Sequence, residues 1–311
     1  MKLSLTVVKI YIKVLIMISI AMATYNGERF LREQIESILA QTVTDFELVI
    51  CDDCSSDSTV QILQEYEKKD NRIHLICNEQ NLGFKRNFEK AISLCRGDYI
   101  ALSDQDDIWL DIHLEVLMNN LMDSSLVCGS VELIDAEGKH TVNHKLENRY
   151  ISSKVEEQFR QLLHLNFIQG CACLFSRDLV LKLLPIPNNQ KYHDNWIGLV
   201  AISEWKSIKH IDDTVLFYRR HESSFTVKNK IPAISRIKEK ILWNDDVKKF
   251  LTLKNQTDIY DSVFEYLTRF VNKQFAVKDI IYFVHNYKLI YQTSSLKLFI
   301  PRFIKRFILF S

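Results

Sequence analysis

The chain has 311 residues, 47% of them hydrophobic, with 40 basic side chains against 39 acidic ones and a formal net charge of +1. That length and apolar content support one sizeable core, or one core with a smaller unit attached. The near-neutral charge excludes a nucleic-acid binder, which needs a basic surface to displace counterions. The seven cysteines, Cys51, Cys54, Cys77, Cys95, Cys128, Cys171 and Cys173, are odd in number and lack paired metal-ligand spacing, which fits a reducing cytosol. Cys51-x-x-Cys54 has no second pair nearby and reads as packing rather than as a zinc or redox half-site.

Lys2, Lys9 and Lys13 precede an apolar run from Val14 to Ala23. The run is too short to span a bilayer, and the lysines break any longer one. It is β-branched and ends at Thr24-Tyr25-Asn26-Gly27, as a buried first strand does. Residues 1–16 therefore read as an extension upstream of a start at Met17.

A strand is predicted over Ile16 to Ala23, a helix over Glu28 to Ala40 with Leu31, Ile35, Ile38 and Leu39 at helical spacing, and a strand over Phe46 to Cys51. Asp57-Ser58-Thr59 caps a helix running to Lys68; a strand over Ile73 to Cys77, a helix over Lys85 to Cys95 and a strand over Tyr99 to Leu102 follow. A helix near Ile112 to Met122 leads to a strand over Leu126 to Leu133. This alternation implies an α/β fold of parallel βαβ units covered on both faces.

Glu137 to Lys154 is polar and weakly periodic and reads as a loop over an open site. Apolar segments return at Cys171 to Phe175, Ile197 to Ile202 and Thr214 to Tyr218. Residues 17–225 form the main unit, and 226–311 read as a helical C-terminal region whose stretch 233–293 carries two or three helices. In the tail, Leu296 to Ser311, Phe303, Ile304, Phe307 and Ile308 share one helical face opposite Arg302, Lys305 and Arg306, and no acid occurs. Such a helix suits the interface of an anionic membrane; docking on the protein's own core is the alternative.

Ser103-Asp104-Gln105-Asp106-Asp107-Ile108-Trp109 carries the most chemistry, because three carboxylates follow a buried strand at the edge where α/β proteins bind ligands. Crowded carboxylates repel one another and resist desolvation, so a hard divalent cation with a phosphate cargo would relieve them. Three further polar clusters end strands on the same edge: Thr24-Tyr25-Asn26-Gly27, Asp52-Asp53-Cys54-Ser55-Ser56-Asp57 and Asn78-Glu79-Gln80-Asn81-Leu82-Gly83. Each alone is an ordinary turn.

In order and spacing, these clusters resemble the family 2 inverting glycosyltransferases with the GT-A fold, over residues 17–225. Ser-Asp-Gln-Asp-Asp-x-Trp is similar to bacterial rhamnosyltransferase-like members that build surface polysaccharides. The resemblance implies a Rossmann-like, mostly parallel sheet flanked by helices, and transfer from a dTDP-rhamnose or UDP-sugar donor to a lipid-linked or oligosaccharide acceptor. It places the chain in the cytoplasm, held at the inner membrane face by its tail.

The resemblance also implies residue roles. Thr24, Tyr25, Asn26, Asp52 and Asp53 would bind base and ribose, with Asp53 accepting from the base imide. Asn81 and Gly83 would border the nucleotide, and Arg86 would offset diphosphate charge. Asp104 would face ribose and the metal shell, and Asp106 would bind Mg²⁺ or Mn²⁺. Asp107 would only orient the site.

Tyr192-His193-Asp194-Asn195-Trp196 is similar to the family's His-Asp-x-Trp segment, making Asp194 the base for the acceptor hydroxyl; otherwise it caps a helix. Gly170, in Gln169-Gly170-Cys171, would let backbone approach the donor sugar. His221, in Tyr218-Arg219-Arg220-His221, would complete the metal shell.

Two other classes compete. One is a catalytically silent nucleotide-sugar scaffold subunit, against which intact Asp106 and Asp194 argue. The other is an Asp-x-Asp phosphatase, whose motif belongs after the first strand and not the fourth. A dinucleotide oxidoreductase is excluded by the absence of Gly-x-Gly-x-x-Gly.

Overall fold

The computed structural model describes residues 16–121, 124–145, 151–203, 206–224, 233–252, 256–272, 274 and 276–291. The tail from Leu296, most of the N-terminal extension and the 225/226 boundary lie outside them.

The first half follows the alternation read from the sequence. Strands β1 (Ile18–Thr24), β2 (Phe46–Asp52), β3 (Ile73–Cys77) and β4 (Tyr99–Ser103) alternate with helices α1 (Leu31–Leu39), α2 (Thr59–Lys69) and α3 (Phe84–Leu94). Next come the two-residue strand β5 (Ile108–Trp109), α4 (His113–Leu121), β6 (Leu126–Ile134), β7 (His140–Lys145), α5 (Val155–His164) and, after a 3-10 turn at Gly170–Ala172, β8 (Cys173–Ser176). The chain closes with α6 (Val180–Leu183), α7 (His193–Ser203), β9 (Lys209–Arg219), α8 (Ala233–Phe250), α9 (Thr257–Val271) and α10 (Val277–Tyr291).

One sheet gathers nine strands in the order β3-β2-β1-β4-β8-β6-β9-β5, with β7 beside β6. β1 to β4 are mutually parallel, β8 runs antiparallel between β4 and β6, and β9 is parallel to β6. All seven residues of β2 are buried, as expected of a central parallel strand covered on both faces. Its side chains alternate: Leu48 and Ile50 join an apolar layer with α1, α2 and α4, while Val49 and Cys51 join another with α3, α5 and α7.

Helices α8, α9 and α10 contribute Val247, Tyr260, Tyr266, Phe283 and Tyr287 to that second layer, so they extend a core that also touches the sheet. Helix α7 is buried almost all round, and its Trp196 indole donates to the Leu183 carbonyl at 2.9 Å. Among the described residues, no helix is long and apolar enough to cross a membrane.

The polar stretch read as a loop from Glu137 is a correction. His140–Lys145 pairs antiparallel with β6, where Glu132 partners Lys145 and Ile134 partners His140. The sequence reading also passed over β5, in which Ile108 and Trp109 pair with Phe217 and Leu216 of β9. This short strand matters to the site, because β4 and β5 hold Asp104–Asp107 between two fixed ends.

Candidate active site

The carboxylate turn is pinned from three sides. On one side, Gln105 accepts from Tyr25 N at 2.8 Å and donates to Tyr25 O at 3.1 Å, tying the β4–β5 turn to the end of β1. A Cβ on Gly27 would fall 2.4 Å from Gln105 Oε1, so any side chain there would push the Gln105 amide from its place. On the second, Trp109 N donates to Ser37 Oγ of α1 at 3.0 Å.

On the third, the buried Arg219 at the end of β9 wraps the turn: its backbone N donates to Asp107 Oδ1 (3.0 Å) and its Nε to Asp106 O (2.9 Å). Its remaining nitrogens reach Glu33 at 2.5 Å and Ala136 O at 3.2 Å, and the guanidinium lies 4.9 Å from the Phe30 ring centre. Lysine lacks the planar fork that makes these bonds together. Arg219→Lys is therefore expected to weaken cation-dependent donor binding by about ten- to a hundredfold, as loss of an outer partner typically does, and titration calorimetry checks it.

Two expected ligands meet: Asp106 Oδ2 and His221 Nε2 are 2.7 Å apart, and the His221 ring centre lies 4.6 Å from that of Phe30. Asp104 lies close enough to Asp106 and Asp194 to feel both charges; burial first, and then these neighbours, push it up to about 7. Burial, followed by Asp106 and Asp104, pushes Asp107 well above the ordinary carboxylate range.

A carboxyl whose folded pKa is raised binds its proton more tightly folded than unfolded, so its stabilising contribution is lost as pH rises through that pKa. Asp104→Asn should thus match the wild type in melting temperature at about pH 4 and exceed it increasingly up to about pH 7 without added metal. A constant difference across that range would sink this account of Asp104.

Across from the turn, α7 opens on Asp194. Burial pushes Asp194 up to about 6, against hydrogen bonds from Asn195 N (2.7 Å), Asn166 and the Gly170 backbone. Gly170 packs against α7: a Cβ there would lie 3.3 Å from Asp194 Cβ and 3.3 Å from His193 Nε2. His193, pushed down to about 3 by burial, stacks on Phe88 with ring centres 4.1 Å apart.

The other expected donor-binding residues build walls. Asp52, fully buried, accepts from Thr24 Oγ1 (2.9 Å), Ser55 N (2.9 Å) and Ser55 Oγ (2.6 Å). Asn26, at φ 49°, accepts from Ser56 N at 2.8 Å. Asp53 is 2% exposed, and its carboxylate takes the Asn78 amide, Leu82 N and Gly83 N at 2.7–2.9 Å. Its carboxylate thereby holds the 78–83 loop against the end of β2. Asn81 braces the same loop by donating to Asp53 O at 2.9 Å, and Gly83 turns it into α3 at φ 79°. Tyr25 stands exposed at the rim.

Arg86 binds Glu89, the Ile186 carbonyl at 2.8 Å and Asn188. Lys85 beside it donates to the carbonyls of Pro187, Asn188 and Gln190 at 2.8–3.2 Å. Together they seat the 186–190 segment that leads into Asp194. Gln105, Arg219 and Lys85 had no assigned role in the sequence reading; only Arg219's place beside His221 in one motif hinted at its part.

Two donor sets could hold a cation. Asp104, Asp107 and Cys171 have ligand atoms within 4.8 Å of one another. Burial and the two carboxylates raise the Cys171 thiol well above its usual range, and its soft sulfur suits a hard cation poorly. Asp106 and His221, with side chains 19% and 9% exposed, fit better. Neighbouring ligands of a hard cation at ~2.1 Å sit roughly 3 Å apart, close to the spacing this pair adopts without one.

Comparison with known proteins identifies the fold and the family. An uncharacterized glycosyltransferase of Methanocaldococcus jannaschii is 33% identical over 237 residues, covering 73% of this chain and 77% of that protein. The UDP-Glc:alpha-D-GlcNAc-diphosphoundecaprenol beta-1,3-glucosyltransferase WfgD of Escherichia coli is 34% identical over 143 residues, 42% of this chain and 56% of that protein. The crystal structure of S. aureus TarS in complex with UDP-GlcNAc superposes with a TM-score of 0.62 at 16% identity, over 88% of this chain and 81% of that one, which establishes the GT-A fold. Residues 19–184 match Glycosyl transferase family 2, and with the strand-end carboxylates in place the chain belongs to that family.

Proposed function

We propose that this chain transfers a sugar from a nucleoside diphosphate sugar, a UDP-sugar or dTDP-rhamnose, to a growing cell-surface glycan with inversion at the anomeric carbon. The observation that carries this reading is the convergence of Asp104, the Asp106–His221 pair at 2.7 Å and the raised Asp194 on one sheet edge. The UDP-GlcNAc bound to TarS and the undecaprenol-linked acceptor in WfgD's name support a UDP donor and a lipid-linked acceptor working at the inner face of the cytoplasmic membrane.

Asp106 and His221, with Asp104 beside them, would hold Mn²⁺ or Mg²⁺; an imidazole ligand favours Mn²⁺. A divalent cation stabilises the charge that develops on a departing nucleoside diphosphate. The Thr24–Asn26, Asp52–Asp53 and 78–83 segments form the floor against which base and ribose rest. Asp194 accepts the proton of the acceptor hydroxyl as that oxygen attacks the anomeric carbon. Its raised pKa makes it a stronger base than an ordinary carboxylate.

Melting curves with a panel of nucleoside diphosphate sugars test the reading. One donor class should raise the melting temperature in the presence of Mn²⁺ and lose that effect when the ion is chelated. No stabilisation by any nucleotide sugar, with or without the ion, would remove the proposal's basis.

A further inference from the structure

Helix α10 carries the largest run of exposed aliphatic side chains on any single described helix. Val277 is 73% exposed, Ile281 64%, Val284 51% and Ile280 38%. Their spacing puts them on one stripe, while Phe283, Tyr287 and Ile290 on the opposite side enter the core. Exposing four aliphatics in a row has a solvation cost that monomeric proteins usually avoid.

The exposed charges carried by α10 itself are basic. Lys278 and Lys288 are exposed beside or in line with it, and His285 lies on the Lys278 flank. The helix's one acid, Asp279, is 1% exposed and bonded to Arg269 on the inner side. Glu265 of α9, itself exposed, is paired with both Lys278 and Arg269, and the exposed Asp258 of α9 lines one groove with Lys278, Ile281 and His285. The outward face of α10 itself therefore presents aliphatics and cations, with Asp258 and Glu265 of α9 bordering it on the Lys278 flank. The sequence that follows Tyr291 continues this chemistry, with Lys297, Arg302, Lys305 and Arg306 and no acid up to Ser311.

We propose that the outward face of α10 docks on an anionic lipid surface, its aliphatic stripe entering the headgroup boundary and its lysines meeting lipid phosphates. The proposal rests on the reading of a lipid-linked acceptor, since a lipid carrier confines the reaction to a membrane. It places the contact on a folded helix of the enzyme as well as on the terminal residues.

The test is flotation of the full-length protein with vesicles of phosphatidylcholine alone or mixed with phosphatidylglycerol, at low and high salt. The wild type should float with the anionic vesicles and lose this at high salt. A double variant, Ile281→Glu with Val284→Glu, should reduce binding by about tenfold or more, because carboxylates replace the inserted aliphatics. Lys278→Glu with Lys288→Glu keeps the stripe and should remove the preference for anionic vesicles.

Wild-type flotation by both variants would overturn the proposal. So would a clear fall in melting temperature for the stripe variant, which would mean that protein, residues 292–311 included, covers the face. A dimer seen by light scattering in the wild type and lost in the stripe variant would overturn it in favour of self-association. The donor-dependent melting shift is measured on the same samples: its absence refutes sugar transfer whatever the vesicles show, and its presence without vesicle binding refutes only the membrane contact.

Discussion

Asp106→Ala should abolish cation-dependent donor binding and sugar transfer while leaving the fold intact. The side chain is part-exposed and its hydrogen bond is to His221, so its removal opens no cavity in the core. Donor affinity in Mn²⁺ should fall by more than the about ten- to hundredfold typical of losing an outer partner, because a direct ligand is lost. Removal of this charge also lowers the repulsion that raises Asp104 and Asp107, so the variant's melting temperature without metal should equal or exceed the wild type's. Calorimetric titration of donor with and without Mn²⁺ measures the first effect. Undiminished cation-dependent affinity would remove Asp106 from the site.

Asp194→Asn preserves size and the ability to accept from Asn195 N and Gly170 while removing the capacity to take a proton. Donor binding should survive, and single-turnover transfer should fall by about a hundredfold to ten-thousandfold. Because the active form is the carboxylate and burial holds its pKa at about 6, the wild-type rate should rise through that pH and level off above it. The variant should lack this limb. A near-normal rate with the same pH profile would make Asp194 only a helix cap and leave Asp107 as the next candidate base. That candidate is handicapped by full burial and by its bond from Arg219 N.

The alternation of the first half was legible because parallel strands covered on both faces must be continuously apolar, and the helices between them repeat at helical spacing. The polar clusters at the strand ends stood out against those runs for the same reason. The Asp106–His221 meeting was legible only through motif order, since 115 residues separate the partners. β5 was not legible, because a two-residue strand has no periodicity and exists only through its pairing with β9. β7 was hidden by its polar sequence, and its pairing with β6 is what makes it a strand.

The sequence by itself determined the α/β class, the edge of the sheet that carries chemistry and the carboxylates gathered there, because local burial pattern and residue type decide those. Only the tertiary structure decided what each polar side chain does. Asp53 turns inward to the 78–83 loop, Arg86 and Lys85 grip the segment before Asp194, and Gly170 makes room for Asp194. Arg219 locks the carboxylate turn from 113 residues away in the chain, and Gln105 within the turn ties it to Tyr25, 80 residues upstream. A buried charge or amide takes whichever partner the fold brings within hydrogen-bond reach, and that partner is set by strand order and helix packing, which no local pattern encodes.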